Sequence, residues 1–321
     1  MTTTMTMTKL MKNKLHIYAP SFEHGVVALA RGVSVVSVNG PLLGHCPKGS
    51  TLTWEQIAEL VETAKHNKQQ IHLRLNTVIH NADIEHVARM LEQAENIGVN
   101  AITFSDTAIL QQVKRMGHKL ALTLATETTV TNNQMISFWY NQGVDTFQLT
   151  RELNVDQIRQ IIELRQQEAF QDIKFMLQIH GPVGIFHTLR PVIKNYSDYL
   201  QLNAKDSIIL GENLAFVEEL RKDEYYRVIE DDRGTYIFSA YDISLYEYLP
   251  ELIKMQIDYL KIDIFSTQSV ATMEQIIAYY QEAIDQIINN QFIVKDNWQE
   301  QLQIINQFPI HNQFIETGAP K

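Results

Sequence analysis

Ionisable and amide side chains recur just past short apolar runs in this sequence. Asn76 follows residues 70–75, Asp106 follows 100–104, Glu127 follows 119–124, Arg151 and Glu152 follow 144–149, and His180 follows 173–179. Lys261-Ile262-Asp263 closes the last run with its two charges on one face of the strand. An arginine at such a position can grip a carboxylate or phosphate through two parallel hydrogen bonds. A histidine there can move a proton near neutral pH, and a pair drawn from Glu127, Glu152 and Asp106 can activate water. Each residue also has a plain structural use. Asp106 can cap a helix, Asn76 can close a turn, Arg151 can pair with its neighbour Glu152, and Lys261 with Asp263 can form a buried pair. His180 precedes Gly181 and Pro182, which suits an exposed loop acid or base better than a core histidine. His45 with Cys46, and His180 with His187, would make a mixed metal site only if their loops converged. No ligand spacing supports that, so no metal is expected.

Familiar motifs are missing. The chain has no G-x-G-x-x-G, no G-x-x-x-x-G-K-[ST], no H-E-x-x-H, no G-x-S-x-G and no S-x-x-K. Its 321 residues carry 37 acidic against 27 basic side chains, a formal charge of -10 that argues against an extended basic groove for nucleic-acid phosphates. A single cysteine, Cys46, excludes an intrachain disulfide and a four-thiolate iron-sulfur or zinc site. Without an apolar run of roughly 18 residues or a secretory leader, the expectation is a cytoplasmic protein that does not enter a membrane.

The elements that must position these groups alternate. Strands are predicted at 15–19, 33–38, 70–75, 100–104, 119–124, 144–149, 173–179 and 258–262, with amphipathic helices between them. Ile84, Val87, Ala88 and Leu91 form one helix stripe. Val270, Met273, Ile277, Tyr280, Ile284 and Ile287 form another. Gly32-Val33, Gly98-Val99 and Gly143-Val144 sit where a helix ends and a strand begins, and Gln256-Ile257 repeats the junction without glycine. Eight such units favour closure into a (β/α)8 TIM-type barrel, whose site lies at the carboxyl ends of the strands. The last two strands start 85 residues apart, so an insertion of about 181–257 is expected, with a β-hairpin around residues 226–238. The expected organisation is a disordered tail over 1–13, the barrel with its insertion over 14–288, and a loosely docked tail over 289–321.

Several stretches carry a likeness. Tyr18-Ala19-Pro20, Leu75-Asn76-Thr77, Thr126-Glu127-Thr128-Thr129, Thr150-Arg151-Glu152-Leu153, His180-Gly181, Gly234-Thr235-Tyr236 running on to Tyr241-Asp242, Leu249-Pro250-Glu251-Leu252 and Asp258-Tyr259-Leu260-Lys261 occur in order from Leu15 to Ile287. In these the chain resembles peptidase family U-32, the collagenase-like family. The resemblance adds Asp242 to the substrate-binding candidates Asn76, Asp106, Arg151, Lys261 and Asp263, beside the catalytic candidates Glu127, Glu152 and His180. It also exposes departures. Gly184 and Pro191 stand where family members carry cluster-binding cysteines, Ser244 replaces a further one, and Ile264-Phe265 replaces a Gly-Arg pair.

The resemblance implies a short, cysteine-poor subunit of a tRNA wobble-uridine 5-hydroxylation system. Its cluster-bearing paralogue would complete a heterodimer, tRNA would be met through that complex, and a small carboxylic acid such as prephenate would be the hydroxyl source. No cofactor is then expected in this chain, and the iron-sulfur cluster belongs to the partner. The alternatives are a stand-alone collagenase-like peptidase and a small-carboxylate binding protein.

Overall fold

Period-two alternation sets both faces of the sheet. The structure is a computed structural model that describes residues 15–44, 50–200, 214–231, 234–294, 296–312 and 314–318. The tail expected over 1–13 lies outside them, as do His45 and Cys46. Strands β1 (Leu15–Tyr18), β2 (Val35–Asn39), β3 (Gln70–Leu75), β4 (Ala101–Phe104), β5 (Ala121–Leu124), β6 (Thr146–Gln148) and β7 (Lys174–Thr188) pair in parallel order. An insertion carries β8 (Ala215–Glu218), β9 (Arg221–Asp231) and β10 (Gly234–Ser244). After it, β11 (Tyr259–Asp263) pairs parallel with both β7 and β1. That double pairing closes an eight-stranded barrel, and all eight predicted strand positions appear in it.

Helices α1 (Phe22–Ala30), α2 (Trp54–His66), α3 (Ile84–Ile97), α4 (Thr107–Met116), α5 (Asn133–Asn141) and α6 (Val155–Ile162) return the chain between strands. The insertion holds α7 (Val192–Tyr199), α8 (Leu249–Lys254) precedes β11, and α9 (Val270–Ile288) follows it. Local sequence starts these helices: Ser21, Thr53, Asp106, Asn132, Asn154 and Ser269 each accept an otherwise orphaned backbone N–H in the first turn. Gly98 ends α3 at φ +91°, and Gln256 takes the same left-handed conformation at φ +62°. The junction without glycine therefore keeps its geometry at some conformational cost.

The apolar core lies outside the barrel wall. Ile17, Val36, Ile71, Leu73, Ile102, Phe104, Phe147, Phe175 and Ile262 are fully buried against the helices. Val87 and Leu91 of α3 and Met273, Ile277 and Tyr280 of α9 meet them, as the two predicted stripes require. The alternate strand positions are polar: His16, Ser37, His72, Arg74, Thr103, Gln148 and Lys261 are all buried. Barrels of this type usually fill the inside with layered aliphatic side chains. Here polar side chains take that place: Lys261 bonds Gln148 across the barrel, while both His16 ring nitrogens and Thr103 Oγ1 have no hydrogen-bond partner among the described residues.

The predicted hairpin is present as β9 and β10, with Thr235 opposite Glu230. The end predicted for the seventh strand at Ile179 is corrected. β7 continues to Thr188 because β10 returns antiparallel along it, pairing Ser244 with His180 and Asp242 with Pro182. One strand thus serves both the barrel and the insertion. Past α9, α10 (Trp298–Ile305) buries Leu302, β12 (Ile310–His311) pairs with β10, and the Ile315 carbonyl accepts the Val155 N–H at the start of α6.

Candidate functional site

At the carboxyl ends of the strands lies a cleft of about 240 Å³. Its polar side is formed by Tyr18, Arg74, Glu127, Arg151 and Asp263, from five different strands or the loops that follow them. Its apolar side is formed by Phe186 and Phe238 of the insertion and by Phe265 just after β11. Beneath it, inside the barrel, His16, Asn76, Gln148 and Lys261 line a narrower continuation that shares Arg74 and Glu127.

Charge organises the polar side. Arg151 Nη1 donates to Glu127 Oε2 at 2.7 Å and Nη2 to the Gly184 carbonyl at 2.5 Å. Burial opposes ionisation of Glu127, yet Arg151, Lys261 and Arg74 outweigh it and hold its carboxyl down at about 2. Glu127 also sits at φ +67°, a left-handed conformation unusual for a residue with a Cβ, which aims its carboxylate at Arg151. Lys261 Nζ donates to Gln148 Oε1 at 3.1 Å across the barrel and to Asp263 Oδ2 at 2.9 Å. The Arg74 guanidinium lies 4.3 Å from the Tyr18 ring centroid. Among the described residues three cations, Arg74, Arg151 and Lys261, stand with two carboxylates, Glu127 and Asp263, at this end of a chain of net charge -10.

Of the residues expected from sequence, Glu127, Arg151, Lys261 and Asp263 come together here, with Asn76 below them. The others do not join. Asp106 is the N-cap of α4, its Oδ1 accepting the Ala108 N–H and its Oδ2 that of Ile79. Glu152 is exposed and does not pair with Arg151, which reaches Glu127 in the loop after the neighbouring strand β5. Asp242 is fully buried against Arg227 and Asn306.

The exposed-loop reading of His180 is corrected: it is fully buried, its Nδ1 lies 3.2 Å from the Tyr280 hydroxyl of α9, and desolvation depresses it to about 4 against the opposing pull of Asp242. The cause is the pairing of β7 with β10 and a register shift opposite β11, which turn the ring outward. Seven residues along an extended strand separate His180 from His187, about 20 Å, and His187 stacks on Tyr236 in the cleft wall. Those two histidines therefore do not converge on one ion.

Sequence reasoning missed Arg74, Tyr18 and the buried imidazoles of His16 and His72, whose rings stand 5.3 Å apart. Desolvation lowers both, His72 to about 3. The signal was available. Polar residues alternate with aliphatic ones inside His16-Ile17-Tyr18 and His72-Leu73-Arg74, the mark of an inward polar face.

An iron-sulfur cluster of the kind the resemblance implies for a partner is held by thiolates, and the donors at the corresponding positions here do not suit that group. Gly184 offers a carbonyl already bound by Arg151, Pro191 offers no side-chain donor, and Ser244 Oγ lies 3.0 Å from the Tyr280 hydroxyl. Among the described residues no three His, Cys, Asp or Glu side chains are grouped to hold a metal ion. No described helix is long and apolar enough to cross a membrane.

The sequence profile of peptidase family U32 matches residues 21–321. The chain is 29% identical over 271 residues to tRNA hydroxylation protein P2 of Bacillus subtilis, covering 82% of this chain and 83% of that one. It is 24% identical over 321 residues to tRNA hydroxylation protein P1 of the same organism, covering 97% and 73%. Among solved structures it is similar to the U32 peptidase Mk0906, with a TM-score of 0.45 and 11% identity over 78% of this chain and 92% of that one.

Proposed function

The chain belongs to peptidase family U32, and from that premise we propose that it is a non-redox subunit of a tRNA wobble-uridine 5-hydroxylation system, working beside a cluster-bearing paralogue. The observation that carries the reading is the mouth cleft. Cationic charge from Arg74, Arg151 and Lys261 faces an apolar wall of Phe186, Phe238 and Phe265, a combination suited to a small organic acid such as prephenate. Arg151 and Arg74 would orient the carboxylates, and the aromatic wall would exclude water from the carbon skeleton. The cluster would sit in the partner, and tRNA would be met through the complex. The names of the two B. subtilis relatives lend support by analogy.

The peptidase reading draws less from the geometry. A general base must accept a proton near the working pH, and Glu127, held near 2 by its cations, is a poor acceptor there. Glu152 and Asp106 stand away from the cleft, so no second carboxylate from that set shares a water with Glu127.

Deletion of the gene, followed by mass spectrometry of tRNA nucleosides, tests the proposal. Loss of 5-hydroxyuridine, restored by the wild-type chain and accompanied by co-purification with the paralogue, is expected. Anaerobic purification of the chain alone should yield no stoichiometric iron or sulfide. Normal hydroxylation in the deletion strain, together with gelatin cleavage by the purified chain, would overturn the proposal in favour of the peptidase reading.

A further inference from the structure

Away from the charged side of the cleft, the insertion and the C-terminal segment meet around Arg227 of β9, which is 8% exposed. Its Nη2 donates to Asp242 Oδ1 at 2.7 Å and to the Ser239 carbonyl at 3.0 Å. The other Asp242 oxygen accepts from Asn306 Nδ2 at 3.1 Å, and Asn306 Oδ1 accepts from Gln268 Nε2 at 3.2 Å. Gln268 Oε1 in turn accepts the Phe265 backbone N–H at 2.7 Å. The circuit closes through π contacts, because the Arg227 guanidinium carbon lies 4.8 Å from the Phe265 ring centroid and 4.0 Å from that of Phe308.

This arrangement does more than neutralise a buried charge. Asp242 alone would neutralise the guanidinium, but Nη1 has no hydrogen-bond partner among the described residues, so the two aromatic faces supply the remaining compensation for its desolvation. One of those faces belongs to Phe265, which lines the cleft and meets Phe238 edge-on at 5.1 Å. The other belongs to Phe308, beyond α10. The place of the cleft wall is thereby tied to the docking of residues 306–308.

We propose that Arg227 is a positioning residue for the cleft: lying over both the Phe308 and the Phe265 ring, which themselves meet edge-on at 5.6 Å, it fixes Phe265 and Phe238 as the wall against which the organic part of an anionic ligand lies. The proposal rests on the cleft being the ligand site, as read above. A guanidinium is required, since its several donors bond Asp242 and the Ser239 carbonyl while its carbon lies over both rings, whereas the single ammonium of lysine cannot make all of these contacts from one position.

The test uses the full chain and amide hydrogen exchange read by mass spectrometry. Arg227→Lys and Phe308→Leu should speed exchange over residues 264–268 and 306–310 roughly tenfold, the size of a desolvated cation–π contact, while amides of β1 to β6 stay as in the wild type. Phe308→Tyr, which keeps the ring, should restore protection. Arg31→Lys, in a surface pair with Glu274, serves as the control. In cells, 5-hydroxyuridine per unit of protein should fall for Arg227→Lys and Phe308→Leu and recover for Phe308→Tyr.

Unchanged exchange at 264–268 in Arg227→Lys, or acceleration spread evenly over the barrel, would overturn the proposal. So would full hydroxylation by Arg227→Lys in a strain whose hydroxylation depends on this chain. Normal hydroxylation in the complete deletion would sink the tRNA reading instead, and the exchange data would then decide the positioning role alone.

Discussion

Arg151 and Glu127, from loops after neighbouring strands β6 and β5, share a 2.7 Å hydrogen bond, and the same guanidinium holds the Gly184 carbonyl of the insertion. One side chain therefore joins two barrel loops to the strand that carries the cleft's apolar wall. It does so with its side chain 10% exposed, where a charge-assisted bond keeps much of its strength.

Arg151→Lys should weaken binding of a small dicarboxylate by roughly ten- to a hundredfold, corresponding to about 1.5–3 kcal/mol for a lost charge-assisted pairing. Lysine cannot serve Glu127, Gly184 and a ligand carboxylate from one planar fork. On the proposed function, nucleoside mass spectrometry should show reduced 5-hydroxyuridine, with co-purification of the proposed paralogue unchanged. Wild-type hydroxylation at matched protein levels, with lowered stability, would make Arg151 a brace for Glu127 and nothing more.

Lys261→Met should be strongly destabilising, by about 3–5 kcal/mol, because it leaves Asp263 without its cation and Gln148 without its donor inside the barrel. The double variant Lys261→Met with Asp263→Asn should recover part of that loss, since the orphaned carboxylate is gone. Urea midpoints of Lys261→Met, Asp263→Asn and the double variant, each against the wild type, check this. Simple additivity of the single-site effects would argue that the pair is not coupled.

Stability should fall with acid well before carboxylates titrate. His72 is depressed from 6.5 to about 3, so between those values the unfolded chain binds more protons than the folded one and stability rises with pH. The contribution is fully present above the ordinary histidine value and is lost as pH falls through the interval. Between pH 6.5 and pH 5 one such group should cost roughly 1.5–2 kcal/mol. His16 and His180 act in the same direction. Urea unfolding of His72→Leu across that range should show a flatter dependence than the wild type, and an identical slope would refute the assignment.

Gly181→Ala should unfold or nearly unfold the barrel seam. Gly181 sits at φ +109°, and an added Cβ would lie 2.0 Å from the Asp263 carbonyl oxygen, which is backbone and has nowhere to move. Steric overlap and left-handed strain together should cost about 3 kcal/mol or more. Thermal unfolding of the purified variant decides it. A melting temperature equal to the wild type would show that β7 and β11 are not as closely apposed at this point.

The sequence by itself determined the barrel. Alternation within strands, stripes at helical spacing and left-handed junctions at Gly98 and its kin are local signals, each readable within a dozen residues, and the 85-residue gap announced the insertion. It also placed Glu127, Arg151, Lys261 and Asp263 at one end, because strand ends in this fold converge whatever the loops do.

Tertiary structure decided the partners. Whether Arg151 meets Glu152 beside it or Glu127 a strand away depends on loop geometry that no spacing encodes. His180 was sent outward to Tyr280 by the return of β10 some sixty residues later, a long-range pairing without local trace. The same return brought Asp242 to Arg227 and let Phe308, far along the chain, cover a cation beside the cleft. Side-chain type fixes what a residue can do, but burial and neighbours, set by contacts distant in sequence, fix which of those things it does.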